Sequence, residues 1–191
     1  MKMFFVASIH GKRQFGESYK RIVQLFEDAG HTVGADHVLG VSAEEIEKWD
    51  DSRDINFHKK VLDGIKKAGL VVAELSHNST SVGYLISVSV ENGKPTIAFY
   101  QGKEQPHLLT TLEQNEKFQL IHYDDPEDLK REIPALIEYA TEQMDTRFNF
   151  FISPQIGNFL DWVSKKTKIP RAVYLRRLIE RDMEENKEYK S

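Results

Sequence analysis

The chain has 191 residues, of which 40% are hydrophobic and 29% charged, and a formal net charge of −4. That make-up suits a globular protein with room for one medium domain and a small one. It contains no cysteine, which excludes disulfides, thiolate metal sites and cysteine nucleophiles. The charge is unevenly spread: residues 1–146 hold 16 Lys and Arg against 24 Asp and Glu, and residues 147–191 hold 10 against 6. A basic tail on an acidic body suits a polyanionic partner for the tail alone. The opening MKMFFVASIHGKR is too short an apolar run for a signal peptide, and no stretch reaches membrane-spanning length. The expectation is a cytoplasmic protein with no membrane partner.

Strand and helix signals then alternate. KMFFVAS reads as a buried strand, ESYKRIVQLFEDAG as an amphipathic helix closed by Gly30, and HTVGADHV as a second strand. DINFHKKVLDGIKKAG is a second helix, LVVAELS a continuous apolar strand, and TSVGYLISVSVENGK a helix despite its β-branched residues. TIAFY and FQLIHY are two further strands, and PEDLKREIPALIEYATEQM is a closing helix with Pro126 at its start. Alternating buried strands and helices predict an α/β fold with a doubly wound, parallel, five-stranded sheet.

In such sheets ligands sit beyond the C-terminal strand ends. Two loops qualify: residues 7–13 after the first strand, and the hydroxyl-rich residues 76–83 after LVVAEL. The second runs into a helix N-terminus, where free N–H groups and the helix dipole suit a phosphate. Small polar residues there are equally ordinary helix caps, and the pattern alone leaves both readings open.

SIHGKRQFGESYKRIVQLFEDAGHTV, AGLVVAELSHNSTSVGY and NGKPTIAFY, in that order, resemble the nucleoside 2-deoxyribosyltransferase family, in particular its 2′-deoxynucleoside 5′-phosphate N-hydrolase branch. The likeness covers about residues 3–140. It implies a flavodoxin-like sheet and a pocket for a nucleoside or nucleotide. Ser8, Ile9, His10 and Gly11 match the family's first phosphate-side loop. Ser79, Ser81 and Gly83 match the second, and Tyr84 completes the Gly-Tyr pair. The family's glutamate nucleophile follows that pair, and here the position is Leu85. Its supporting aspartate falls by spacing on Val61. Leucine has no lone pair to attack an anomeric carbon, so covalent glycosyl transfer through this position is excluded. Glu74 is a weak candidate for a substitute acid, and the favoured reading of it is structural, accepting hydrogen bonds from nearby loop N–H groups. The histidines show no metal-ligand spacing, and neither a metal nor a cofactor is expected. His10 is retained as a basic residue of the first loop, and His58 is read as solvated.

The last 45 residues have a different pattern. RFNFFIS alternates as a strand that lacks a neighbouring strand in sequence; two helices follow, PQIGNFLDWVSKKTK, with Ser153 as its cap and Pro154 in its first turn, and RAVYLRRLIERDMEENKEY. This segment resembles the ribbon-helix-helix family, which implies an intertwined dimer whose paired strands enter the DNA major groove. On this chain the resemblance selects Arg147, Asn149 and Phe151 for bases, and Lys165, Lys166, Lys168 and Arg171 for the DNA backbone. Phe151 and Pro170 depart from the pattern, and a dimerisation-only module is the other reading.

The domains are thus expected at residues 1–143, deoxyribosyltransferase-like, and 146–191, a β-α-α ribbon-helix-helix dimerisation domain. The partners are a second copy of the chain, as a dimer or a tetramer, double-stranded DNA, and a small nucleoside or nucleotide. The expected function is a DNA-binding transcriptional regulator with a catalytically impaired nucleotide-binding sensor domain. The alternative is a nucleoside or nucleotide N-glycosidase, or a deoxyribosyltransferase, that uses a non-standard acid while the tail serves only oligomerisation.

Overall fold

The apolar runs of the first 123 residues are buried on both faces, so they pair as parallel strands covered by helices on each side. In the computed structural model, which describes residues 1–106, 112, 114–142, 152–167 and 169–186, five strands form one sheet among the described residues. They are β1 (Lys2–Ala7), β2 (Thr32–Gly34), β3 (Leu70–Glu74), β4 (Thr96–Tyr100) and β5 (Phe118–His122). Their order is β2-β1-β3-β4-β5, with every pairing parallel. Between them run α1 (Lys12–Asp28), α2 (Asp36–Leu39), α3 (Ala43–Ile46), α4 (Asp51–Lys67) and α5 (Thr80–Glu91). A short 3-10 turn (Pro126–Asp128) leads into α6 (Leu129–Glu142).

Period two divides the core. Met3, Phe5 and Ala7 of β1, with Val72 of β3, pack against Ile22 and Phe26 of α1 and Ile133 of α6. Val6, Val71 and Ala73 face the other way, onto Ile65 of α4 and Val82 and Ile86 of α5. α4 approaches the sheet closely because Gly64 has no side chain: a Cβ there would lie 2.5 Å from Phe4 Cζ.

Two sequence expectations change. The second strand is only three residues long, because the chain turns at Ala35 into α2, with Asp36 in its first turn. α4 starts at Asp51, three residues before the expected Asp54, because Asp50 caps it by accepting a hydrogen bond from the Arg53 N–H at 2.7 Å.

The chain divides into two compact units, Met1–Arg147 and Phe148–Ser191. In the second, α7 (Pro154–Thr167) and α8 (Arg171–Glu185) pack on each other. Ser153 Oγ accepts from the Ile156 N–H at 3.4 Å, the cap that the Ser-Pro start predicts. Leu160 and Val163 are buried, and Phe159 and Tyr174 meet edge to face across the pair. The expected strand lies over residues 147–152, of which 147–151 fall outside the described residues.

Candidate active site

Sheet order β2-β1-β3 reverses the winding direction between β1 and β3, and a crevice forms beyond their C-terminal ends. It holds a cleft of about 510 Å³, in the range of small-molecule sites. One side is the turn after β1, with Ser8, Ile9 and His10; opposite is the first turn of α5, from Ser79 to Val82. Ser79 caps α5, accepting from the Val82 N–H at 3.4 Å, and Ser79 to Val82 of that first turn line the cleft. The remaining wall comes from the α2–α4 segment: His37, Val38, Ile46, Asp54, Phe57, His58 and Val61. Lys12 Nζ ties this segment to the start of α1 by donating to the carbonyls of Leu39 and Val41 at 2.8 and 2.7 Å.

The matched residues separate into two groups. Ser8, Ile9, His10, Ser79, Ser81 and Tyr84 line the cleft. Gly11 and Gly83 do not, and each serves the backbone instead. The Gly11 N–H donates to the Ser8 carbonyl and to Ser8 Oγ at 3.1 and 3.2 Å, closing the first turn. A Cβ on Gly11 would lie 2.5 Å from Tyr19 Oη and 2.6 Å from His77 Cβ, so only glycine fits that approach. The Gly83 N–H donates to the Ser79 carbonyl at 3.1 Å. Leu85 and Val61 both line the cleft and present apolar surface there.

Glu74 does not reach the cleft. Strand parity sends it to the α1 and α6 face, where it is fully buried. Its Oε1 accepts from the Ser76 N–H, Ser76 Oγ and Tyr123 Oη, the last at 3.0 Å. Burial raises its pKa above the ordinary carboxylate value, against the opposing hydrogen bonds from Ser76 and Tyr123. Period two along LVVAE carries this information, and the bond from the Ser76 N–H matches the structural role favoured for Glu74 over that of a substitute acid.

The short helices carry residues that the sequence reading missed. His37 stacks flat on Phe4, with ring centroids 4.3 Å apart, and burial depresses its pKa to about 4. Its Nε2 is buried and has no hydrogen-bond partner among the described residues. Asp54 is the only carboxylate among the described residues that line the cleft. It pairs with His58, Nδ1 to Oδ1 3.4 Å. His58, read as solvated, is exposed but also lines the cleft. The sequence signals available were the Ser42-x-x-Glu45 capping box, in which Ser42 Oγ accepts from the Glu45 N–H at 3.1 Å, and the spacing 54, 58, 61 along one helix face. No group of three or more His, Asp or Glu suited to a metal occurs among the described residues.

Of the residues expected on DNA, Arg147, Asn149, Phe151 and Lys168 lie outside the described residues. Arg171 pairs with Asp161, and Lys166 Nζ lies 4.8 Å above the Trp162 ring, so both are engaged within their own unit. Lys165 is exposed.

No protein-family model matches the chain. Similarity to individual proteins is clear. The chain is 30% identical over 133 residues to the Syntrophotalea carbinolica protein named "Putative 2′-deoxynucleoside 5′-phosphate N-hydrolase 1", which spans 68% of this chain and 89% of that one. The Nematostella vectensis protein of the same name is 27% identical over 125 residues, 64% of this chain and 84% of its own length. The human 5-hydroxymethyl-dUMP N-hydrolase is 28% identical over 132 residues, 65% and 73% of the two chains. Two solved structures share the fold. One is a CMP N-glycosidase of Clostridium botulinum, with TM-score 0.50, 19% identity, and 70% of this chain and 99% of that chain covered. The other is a 2-deoxyribosyltransferase of Bacillus psychrosaccharolyticus, with TM-score 0.52, 20% identity, and 71% and 96% covered.

These relatives overturn the expectation of a DNA-binding transcriptional regulator: the proteins this chain is similar to in sequence are named as hydrolases of nucleotides, and the enzyme alternative fits them. Among the described residues no helix is long and apolar enough to cross a membrane. With 30% identity extending over 89% of the Syntrophotalea protein, the chain belongs to the 2′-deoxynucleoside 5′-phosphate N-hydrolase family.

Proposed function

We propose that the first unit binds a nucleoside 5′-phosphate and hydrolyses its N-glycosidic bond without a covalent glycosyl-enzyme. The observation that carries this reading is the shape of the cleft: the Ser8–His10 turn faces the capped first turn of α5, and both open onto an apolar wall of Val38, Ile46 and Phe57. N–H groups at a helix start and hydroxyls favour a phosphate, and an apolar wall favours a base. In this reading Ser8, Ile9, His10, Ser79 and Ser81 hold the phosphate side, Tyr84 borders the sugar, and Gly11 and Gly83 shape the two turns.

Leu85 decides between hydrolysis and transfer. A transferase needs a protein group that holds the sugar between two bases, and leucine has no such group. Water is then the nucleophile, and the products are a free base and a sugar phosphate. Incubating the full-length protein with 2′-deoxynucleoside 5′-monophosphates and resolving free base by chromatography tests this. Turnover without a glycosylated protein supports it; binding measured by calorimetry with no base released refutes it.

The second unit serves oligomerisation in this reading, as a ribbon-helix-helix type module. Ile156, Phe159 and Trp162 recur every three residues on α7 and are 48%, 50% and 56% exposed, a costly surface to leave in water. Trp162→Glu on the full chain should lower the mass measured by light scattering; an unchanged mass rejects this role for the face.

A further inference from the structure

We propose that His58, oriented by Asp54, is the general base that activates the attacking water in this cleft. The inference rests on the reading of the cleft as an N-glycosidase site and supplies the group that Leu85 and Val61 leave missing.

Asp54, Phe57, His58 and Val61 lie at spacings of three, four and seven along α4, so they share one face, and all four line the cleft. His58 stands one turn from Val61, the position matched to the family's supporting acid. The polar function of that wall is therefore displaced along the same helix and not lost. Position 85 on α5 has no such replacement: Tyr84 beside it carries a hydroxyl, and Leu85 itself is apolar.

The hydrogen bonds fix which nitrogen of His58 can act. Its Nδ1 lies 3.0 Å from the Asp54 backbone carbonyl and 3.4 Å from Asp54 Oδ1. A carbonyl oxygen only accepts, so Nδ1 carries the hydrogen and Nε2 keeps its lone pair. Nε2 has no hydrogen-bond partner among the described residues, and the ring is exposed where it borders the cleft. The Asp54 backbone carbonyl holds Nδ1–H and leaves Nε2 free to accept a proton, and the Asp54 carboxylate, 3.4 Å from Nδ1, favours the imidazolium that results.

The step balances without any further reactant. Water loses a proton to His58 Nε2 as its oxygen bonds to the anomeric carbon. The bond from that carbon to the base nitrogen breaks, and its electron pair leaves with the base. The base takes a proton from solvent and His58 returns its own, so nucleotide plus water gives free base plus sugar phosphate. His58 touches the reacting water; Asp54 is a positioning residue.

The test uses the full-length protein and the four common 2′-deoxynucleoside 5′-monophosphates, with base release and calorimetric binding measured on the same samples. His58→Ala should lower the turnover number about 100-fold or more, the usual size of a lost general base. Nucleotide affinity should stay within about threefold of wild type, since the loss falls on the transition state. Added imidazole should restore part of the His58→Ala rate, a rescue that a packing defect would not show. Asp54→Asn should reduce turnover only about threefold, because it removes the charge beside the imidazolium and leaves the backbone bond that sets the tautomer. Base release by His58→Ala at the wild-type rate overturns this assignment and leaves the reading of the cleft intact. Wild-type protein that binds nucleotide but releases no base overturns the reading of the cleft, and the assignment with it.

Discussion

Tyr123 Oη donates to Glu74 Oε1 at 3.0 Å, and the carboxyl that receives it has no solvent exposure at all. Its other oxygen has no hydrogen-bond partner among the described residues, and neither does the nearby Tyr19 hydroxyl, whose pKa burial and Glu74 both raise. Ser76 Oγ links this cluster to β4 by accepting from the Gln101 N–H at 2.8 Å. The chain keeps a carboxyl here to anchor the loop that leads to Ser79, away from the cleft.

Stability should therefore depend on the ionisation of Glu74. Its pKa in the fold is raised, so its contribution is complete below the ordinary carboxylate pKa and is lost as pH rises through the folded value. Glu74→Gln removes that ionisation. The melting temperature of the variant, minus that of wild type, should increase as pH rises from 4 and level off above the folded pKa; a difference independent of pH would contradict the assignment.

His37 should act in the opposite sense. Its pKa falls from 6.5 to about 4, mainly through burial and against the pull of Asp36. Stability is complete above the unfolded pKa and is lost as pH falls through the folded one. His37→Phe, which can keep the stack on Phe4, should lose less stability than wild type between pH 6.5 and pH 4. Parallel denaturant titrations at the two pH values measure this.

Gly11→Ala should damage both folding and binding. The added methyl meets Tyr19 Oη at 2.5 Å and His77 Cβ at 2.6 Å, and it pushes on the turn that presents Ser8 and His10. Overpacking of this kind costs about 1–3 kcal/mol. A lower melting temperature together with weaker nucleotide binding is expected; unaltered binding would separate this turn from the ligand.

Leu85→Glu places a carboxylate on the cleft wall. With a 2-deoxy-2-fluoro-arabinosyl nucleotide, whose fluorine slows breakdown of a glycosyl-enzyme, the variant should gain the mass of the sugar phosphate. Wild type should not. Intact-protein mass spectrometry reads both, and an adduct on wild type would show that another side chain is the nucleophile.

Much of this protein was legible one residue at a time. Apolar runs and helical spacing gave the α/β alternation, because burial on one face or two leaves a local period. The two loops that flank the cleft could be named because they end strands and begin helices. The apolar identities of Leu85 and Val61 were visible directly. The capped start of α7 followed from Ser153-Pro154.

What the sequence did not disclose is which of these groups meet. Asp54 appeared only as the start of a helix and His58 as a solvated residue on it, and only the packing of α4 beside the switch between β1 and β3 brings them to one cleft with Ser8 and Ser79. Glu74 looked like a pocket residue because it ends a strand, yet strand parity and the rings of Tyr19 and Tyr123 take it to the opposite face. Local pattern determines what each residue does with its neighbours in the chain. The site is made of residues far apart in sequence, and their distances are set by the register of the sheet and the close approach at Gly11 and Gly64.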